Sequence, residues 1–210
     1  MELDPQPHRL YNGAFSAFLP SGFQDVSELR EIPDNQEVFV HPSSDQSLIV
    51  ELLEYQEGVA NSDAARWVMV QLENNMYGSS QRWDGRDTGY HFNDVASSND
   101  AESQSEVLSV SPLPLAQLTL TDCSSAWVLN GHQLVAKFNE EAQNTVNIHM
   151  ALFRLPQHST DLLVTFNDPV VINPSSSSAV GGASVTSPWT IEDFNRVLCS
   201  LQLHNPSIFG

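Results

Sequence analysis

The sequence predicts an α+β fold in which an antiparallel sheet carries separate helices. Two observations point to this class. Apolar residues alternate with polar ones in several short segments joined by turns, a pattern typical of paired strands. Near the end of the chain, apolar residues recur instead at helical spacing. The length of 210 residues suits one domain, so we expect residues 1–210 to form a single unit.

The first quarter of the chain predicts a helical turn and a strand pair. An apolar run over residues 15–19 precedes a proline-containing turn, and residues 25–29 can form one helical turn. Residues 36–41 alternate with period two, and residues 47–53 form an apolar run of strand length. Because a short connector separates these two segments, we expect them to pair as an antiparallel hairpin.

The middle of the chain predicts a helix followed by polar connections. Residues 61–72 have a helical pattern with a capping residue at the start. Residues 74–89 and 97–106 are polar and predict loops, whereas residues 107–110 return to strand character. We therefore expect a variable loop region near residues 67–106.

The dipeptide Asn130-Gly131 is the clearest local turn signal in the sequence. It lies between two apolar runs within residues 127–135. Asn-Gly in this setting favours a type I′ turn, in which both central residues have positive φ. We therefore expect a tight hairpin here. The expected cross-strand pairs are Leu129 with His132 and Trp127 with Leu134.

The last third of the chain predicts two strands, a loop and a helix. Residues 145–155 alternate, and residues 161–166 form a further strand. The Ser/Gly-rich stretch 174–187 predicts a mobile loop, so we expect variability near residues 173–187. Pro188 suits the first position of a helix. The residues expected to share one face are Val146, Ile148, Met150 and Leu152 in the strand, and Ile191, Phe194, Leu198 and Leu201 in the helix.

The charge is strongly negative, because 26 acidic residues outnumber 8 Lys and Arg and give a formal charge of −18. A surface of this sign repels nucleic acid and anionic lipid, so we expect neither as a partner. It favours basic protein partners and a salt-sensitive encounter with them. On charge alone, solubility is a sufficient alternative explanation.

Several kinds of chemistry are missing from the sequence. A phosphate-binding loop needs a lysine after its glycines, but Lys137 is the single lysine and follows an alanine. The Gly-x-Ser-x-Gly elbow of serine hydrolases is absent. The seven histidines and two cysteines show no metal-ligand spacing, and the cysteines form no CxxC pair. Acidic residues are so abundant that no single pair indicates catalysis. We expect no catalytic residue, no cofactor and no metal site.

The N-terminus is acidic and interrupted by proline, which predicts neither a signal nor a transit peptide. No apolar run approaches the length of about 20 residues that a membrane helix needs. We therefore expect no direct membrane insertion and a location in the reducing cytosol or nucleus.

One long stretch resembles a known family. Residues 25–54 read DVSELREIPDNQEVFVHPSSDQSLIVELLE, which is similar to the signature of the Ran guanine nucleotide release factor family. Four shorter stretches fit the same family, and the resemblance covers most of the chain. They are LYNGAF (10–15), AWVLNG (126–131), LFRLP (152–156) and LHNPSIFG (203–210). The sequence departs from the family pattern at residues 67–89. In the family, the segments that correspond to residues 64–66 and 90–92 follow each other almost directly, whereas residues 67–89 separate them here.

The resemblance implies properties that composition and spacing do not. It implies a three-layer α/β/α sandwich with a central, mostly antiparallel sheet. It implies binding to the small GTPase Ran, promotion of guanine nucleotide release and a role in nuclear protein import. It also implies a second client, a cytoplasmic loop of a cardiac voltage-gated sodium channel whose delivery to the cell surface the family promotes. The expected locations are the nucleus and cytoplasm, with the plasma membrane reached through the channel.

The partner-binding candidates lie in the family-matched stretch of the acidic N-terminal region, where residues 1–60 carry eleven acids and two arginines. Each candidate has a structural alternative. Arg30 can pair with Asp34 one helical turn on, and Asp25 can cap a turn. Glu51 and Glu54 are three apart, so they share a patch only if their strand ends or bulges near Leu53. The candidates are Asp25, Arg30, Asp34, Glu37, Asp45, Glu51 and Glu54.

The sequence is compatible with three functions. The first is a Ran-binding regulator that does not catalyse a reaction. The second is an adaptor for channel trafficking with Ran binding secondary, and the third is an enzyme of unknown type on the same fold. A deep pocket with converging titratable groups would favour the enzyme.

Overall fold

The computed structural model describes residues 6–55, 57, 105–136, 142–176 and 187–210. The helix predicted at 61–72, the loop predicted at 74–89, Lys137 and much of the two variable regions lie outside the described residues. The strands are β1 (His8–Leu10), β2 (Phe15–Ala17), β3 (Gln24–Asp25), β4 (Gln36–Val40), β5 (Ser47–Glu54), β6 (Ser105–Pro112), β7 (Ser125–Ala136), β8 (Gln143–Leu155), β9 (Thr160–Val171) and β10 (Gln202–Leu203), and the α-helix is α1 (Ile191–Ser200).

A seven-stranded sheet with the order β3-β4-β5-β9-β8-β7-β6 organises the fold, and all its described pairings are antiparallel. The hairpin predicted from residues 36–41 and 47–53 is confirmed as β4 and β5. Strand β6 begins at Ser105, inside the segment predicted to be a loop. The strands predicted at residues 145–155 and 161–166 are confirmed as β8 and β9, although both are longer than the segments that predicted them.

The hairpin predicted at Asn130-Gly131 is wrong. Both residues lie in the interior of the 12-residue strand β7. Gly131 pairs with Val107 on one side and Ile148 on the other, and neither Asn130 nor Gly131 has a positive φ. A type I′ turn would break the continuous register between β7 and β8, so the two neighbouring strands override the local preference. The irregularity falls instead on β6, where Leu108 forms a bulge across from the dipeptide.

A second, three-stranded sheet with the order β1-β2-β10 lies with α1 against one face of the large sheet. Apolar residues from both sheets and the helix meet there in the main core. The strand β2 contributes Phe15, the hairpin contributes Phe39 and Leu48, and α1 contributes Phe194, all at most 1% exposed. This face of the large sheet carries the side chains that position the site described below.

Helix α1 begins three residues later than the sequence suggested. Thr190 caps it: the Asp193 N–H donates to Thr190 Oγ1, and the Asp193 carboxylate accepts from the Thr190 N–H. This reciprocal capping box fixes the first turn and leaves Pro188 outside the helix. The buried face also differs, because Val197 is fully buried whereas Ile191 is 38% exposed.

The expected three-layer sandwich is not confirmed. The described residues contain one α-helix, and it packs on the main-core face of the sheet. The opposite face carries a second apolar cluster. Its buried members are Leu129, Ile148, Met150, Leu152 and Leu163. None of the helices in the described ranges has the length and apolar character needed to cross a membrane.

Candidate functional site

An open groove of about 850 Å³ lies where the N-terminal turn of the chain meets the segment that connects β3 to β4. Four of the seven candidate residues line it, namely Asp25, Arg30, Asp34 and Glu37. The remaining lining residues are His8, Arg9, Asn12, Ser27, Glu31, Ile32, Pro33 and Gln36. The groove therefore combines four carboxylates with two guanidinium groups. Such a surface offers charged groups of both signs to a partner.

Asp25 ends β3 and caps the 3-10 turn that follows. Its Oδ1 accepts hydrogen bonds from the Ser27 N–H across 2.8 Å and from the Ser27 hydroxyl across 2.6 Å. The capping role considered from the sequence is thus confirmed. Asp25 also lies directly across from Phe39, on the same face of the large sheet as Glu37. Asp25 can cap the turn and also line the groove, because the cap uses only Oδ1 and leaves Oδ2 available to a partner.

Arg30 and Asp34 lie in the exposed connection between β3 and β4. The 3-10 turn ends at Glu28, and the chain is irregular from there to β4. The helical pairing of Arg30 with Asp34 is therefore wrong, because that spacing brings side chains together only on a continuous helix. Neither side chain forms an ion pair with another described residue. Both are exposed and line the groove.

Glu37 is half-buried and differs from the other candidates. The Tyr11 N–H donates to Glu37 Oε1 across 2.5 Å. Burial raises the pKa of the Glu37 carboxyl, and the charge of Asp25 adds to this shift. The hydrogen bond from Tyr11 and the nearby His8 act in the opposite direction on the same pKa. Its carboxylate therefore has an internal structural partner in addition to its position in the groove.

The Tyr11 turn borders the groove and was not expected from the sequence. Tyr11, Asn12 and Gly13 have φ values of 50°, 54° and 88°, so three consecutive residues are left-handed. This conformation costs about 1–2 kcal/mol for each residue that carries a side chain. Strained backbone of this kind is concentrated at ligand-binding and switch regions. The Asn-Gly dipeptide at 12–13 was the signal that could have indicated it.

Glu51, Glu54 and Asp45 lie outside the groove lining. Glu51 pairs with Gln36 and accepts a hydrogen bond from its Nε2 across 2.8 Å, on the face of the sheet opposite Glu37. Strand β5 continues through Leu53 in regular register with β9, so Glu51 and Glu54 point to opposite faces. The bulge or strand end that would unite them is absent from β5.

Glu54 shares a face with Glu37 but lies far along the strand. Glu37 lies across from Val50, and Glu54 is four residues beyond Val50 in the same strand. At 3.3 Å per residue, this places Glu54 roughly 13 Å along the sheet from Glu37. Asp45 lies in the connector at the other end of the β4–β5 hairpin. The structure therefore brings together Asp25, Arg30, Asp34 and Glu37, and it leaves three candidates apart from them.

The groove has no feature of a metal centre within the described residues, where no three His, Cys, Asp or Glu side chains are placed to hold an ion. The wide opening and the charged lining are suited to contact with a protein surface. We therefore treat the groove as a candidate partner-binding site.

Comparison with known proteins gives a consistent family assignment. The model of a family described as Ran-interacting Mog1 protein matches residues 8–169. The Ran guanine nucleotide release factor of Danio rerio is 52% identical over 203 residues, covering 96% of this chain and 98% of that protein. Its Homo sapiens counterpart is 46% identical over 203 residues, covering 96% and 95%.

A solved structure resembles the fold. The crystal structure of the Saccharomyces cerevisiae Ran-binding protein Mog1p covers 100% of both chains with a TM-score of 0.61 and 19% sequence identity. At this identity the likeness concerns the fold, and it supports the arrangement of antiparallel strands described above.

Proposed function

Because the chain belongs to the Ran-interacting Mog1 protein family, we propose that it binds the small GTPase Ran and promotes guanine nucleotide release. Two relatives of the chain are named as release factors and a third, from Schizosaccharomyces pombe, as a nuclear import protein, and such proteins are regulators rather than catalysts. The proposed role is regulation of nuclear protein import, in the nucleus and cytoplasm.

The observation that carries the proposal is the groove, which collects Asp25, Arg30, Asp34 and Glu37 at one site. GTPases hold the nucleotide phosphates with Mg²⁺ and a lysine. Carboxylates of an acidic partner can attract those cations or displace the loops that contact them. Leu29, which precedes the groove residue Arg30 in the chain, is 73% exposed and can add an apolar contact. Charge complementarity would mainly increase the association rate and set the orientation.

A nucleotide-release assay tests the proposal. Ran is loaded with a fluorescent GDP or GTP analogue, and the release rate is measured with and without this protein. We expect faster release from at least one nucleotide state. Calorimetry on GDP-bound, GTP-bound and nucleotide-free Ran identifies the preferred state. No acceleration and no binding in any state would overturn the proposal.

A charge reversal locates the site. Asp34→Lys should weaken Ran binding by at least about tenfold, or ~1.4 kcal/mol, with the loss smaller at high salt. Glu106→Lys is the matched control, because Glu106 is an exposed carboxylate on β6, with 69% of its side chain accessible. Equal effects of the two variants would indicate net charge rather than the groove as the cause.

The channel client is a separate proposal that rests on the family resemblance alone. Pull-down with the cytoplasmic loops of a voltage-gated sodium channel tests it, and competition by Ran would show whether the two partners share the groove. Association with the plasma membrane is part of the same proposal and requires binding to the channel.

A further inference from the structure

The left-handed turn Tyr11–Gly13 is held by contacts from both strands of the β4–β5 hairpin. The Tyr11 hydroxyl donates to the Val50 carbonyl across 2.8 Å and lies 3.0 Å from the Asn35 carbonyl. The Tyr11 N–H donates to Glu37, as described above. Tyr11 is buried, with 9% exposure. Tyr11 is thus held at its side chain by the hydrogen bond of the phenol hydroxyl, and at its backbone by the Glu37 carboxylate.

The turn determines what the groove presents. Arg9 and Asn12 both line the groove, whereas the buried Tyr11 between them does not. The Arg9 guanidinium packs directly on Gly13: a Cβ built on Gly13 would lie 2.5 Å from Arg9 Nη2 and 2.7 Å from Nε. The position of the guanidinium therefore depends on the backbone path of the turn. If the backbone of the turn changes conformation, the Arg9 and Asn12 side chains move away from the groove together.

We propose that Glu37 supports partner binding as a positioning residue, by fixing the Tyr11–Gly13 turn so that Arg9 and Asn12 face the partner. This inference rests on the proposed function of the groove. It separates Glu37 from Asp34, which is exposed and acts through its charge. The feature of Glu37 that matters is an acceptor oxygen in the right place, and not its negative charge.

The surroundings of Glu37 favour this assignment. Its Oε1 is occupied by the Tyr11 N–H, and the side chain is half-buried on the core face across from Val50. Burial and the neighbouring Asp25 both disfavour the charged form of the carboxyl. A glutamine retains the acceptor oxygen and the shape without the charge. An alanine removes both.

The experiment compares Glu37→Gln with Glu37→Ala by calorimetric titration of Ran. We expect Glu37→Ala to weaken binding by about tenfold or more, and Glu37→Gln to recover most of the loss and stay within about threefold of wild type.

Gly13→Ala should also weaken binding, because the new Cβ displaces Arg9 and strains a φ of 88°. The salt dependence of Kd should fall in Asp34→Asn and stay unchanged in Glu37→Gln.

Two measurements distinguish positioning from loss of fold. Amide exchange of Tyr11 should remain slow in Glu37→Gln and become fast in Glu37→Ala. Thr190→Ala, which removes the remote cap of α1, destabilises the fold and should leave Ran binding unchanged.

Each opposite result has a defined meaning. If Glu37→Gln binds as weakly as Glu37→Ala while Tyr11 exchange stays slow, Glu37 contacts the partner directly and the inference is overturned. Wild-type binding by Glu37→Ala would also overturn it. If the wild-type protein itself fails to bind Ran, the proposed function has failed instead.

Discussion

Gln46 binds the backbone of Trp189 with both ends of its side-chain amide. The Trp189 N–H donates to Gln46 Oε1 across 2.8 Å, and Gln46 Nε2 donates to the Trp189 carbonyl across 2.9 Å. These residues are 143 apart in sequence, and both are buried. The pair joins the connector of the β4–β5 hairpin to the entry of α1 and holds that entry in a non-helical conformation.

Replacement of Gln46 by alanine should therefore destabilise the protein. The change leaves a buried N–H and a buried carbonyl without their partner, each at a cost of about 1–3 kcal/mol. We expect the free energy of unfolding in urea to fall by about 2–4 kcal/mol. Gln36→Ala is the control, because Gln36 donates its side-chain hydrogen bond to Glu51 at a half-buried position and does not contact Trp189. A similar loss in both variants would contradict the role of the Trp189 contact.

The buried ion pair of Arg154 and Asp161 should be sensitive to removal of one partner. Arg154 Nε lies 3.3 Å from Asp161 Oδ1, both side chains are almost fully buried, and the guanidinium lies 4.3 Å from the centre of the Tyr55 ring. Asp161→Ala leaves a buried cation without this partner and should cost about 3–5 kcal/mol. The double variant Arg154→Met, Asp161→Leu should recover much of the loss, as thermal and urea unfolding can show. Additive losses would contradict the coupling.

His149 should make stability depend on pH. Burial lowers the pKa of its imidazole below the ordinary value of 6.5, with Asp168 opposing the shift, and its ring stacks on Phe166. The unfolded chain therefore binds a proton at a higher pH than the folded protein does. This contribution to stability is fully present above pH 6.5 and is lost as the pH falls through the lower folded pKa.

The variant His149→Gln tests this relationship. We expect the difference in unfolding free energy between wild type and variant to be constant above pH 7 and to shrink as the pH falls below about 6. Urea titrations at several pH values measure it. A difference that stays constant across this range would contradict the lowered pKa of His149.

Leu29 should contribute to Ran binding without contributing to the fold. Its side chain is 73% exposed, and the next residue in the chain, Arg30, lines the groove. Leu29→Asp should weaken Ran binding by about tenfold and change the unfolding free energy by no more than about 0.5 kcal/mol. Leu115→Asp is the matched control, because Leu115 is 44% exposed and does not line the groove. Equal effects on binding would show that exposed leucines act nonspecifically.

The two Asn-Gly dipeptides show to what extent local sequence determines backbone conformation. The same pair of residues forms a left-handed turn at 12–13 and an uninterrupted strand at 130–131. The first lies at a chain reversal between the short strands β1 and β2, where Tyr11 is anchored to the hairpin. The second lies between β6 and β8, whose ladders fix it as extended. Local preference decides the conformation only where the neighbours allow it.

The sequence by itself determined the antiparallel hairpin β4–β5, the alternating strand β8, the strand β9, the amphipathic helix and the family. These depend on periodicities and motifs within one continuous segment. The tertiary structure alone decided which acidic residues share a surface. Asp25 and Glu37 meet Arg9 and Asn12 because β3, β4 and the Tyr11 turn converge, whereas Glu51 faces the opposite side of the sheet. Side-chain direction in a strand depends on register, and the grouping of distant segments depends on packing. Neither can therefore be predicted from the spacing of residues within one segment.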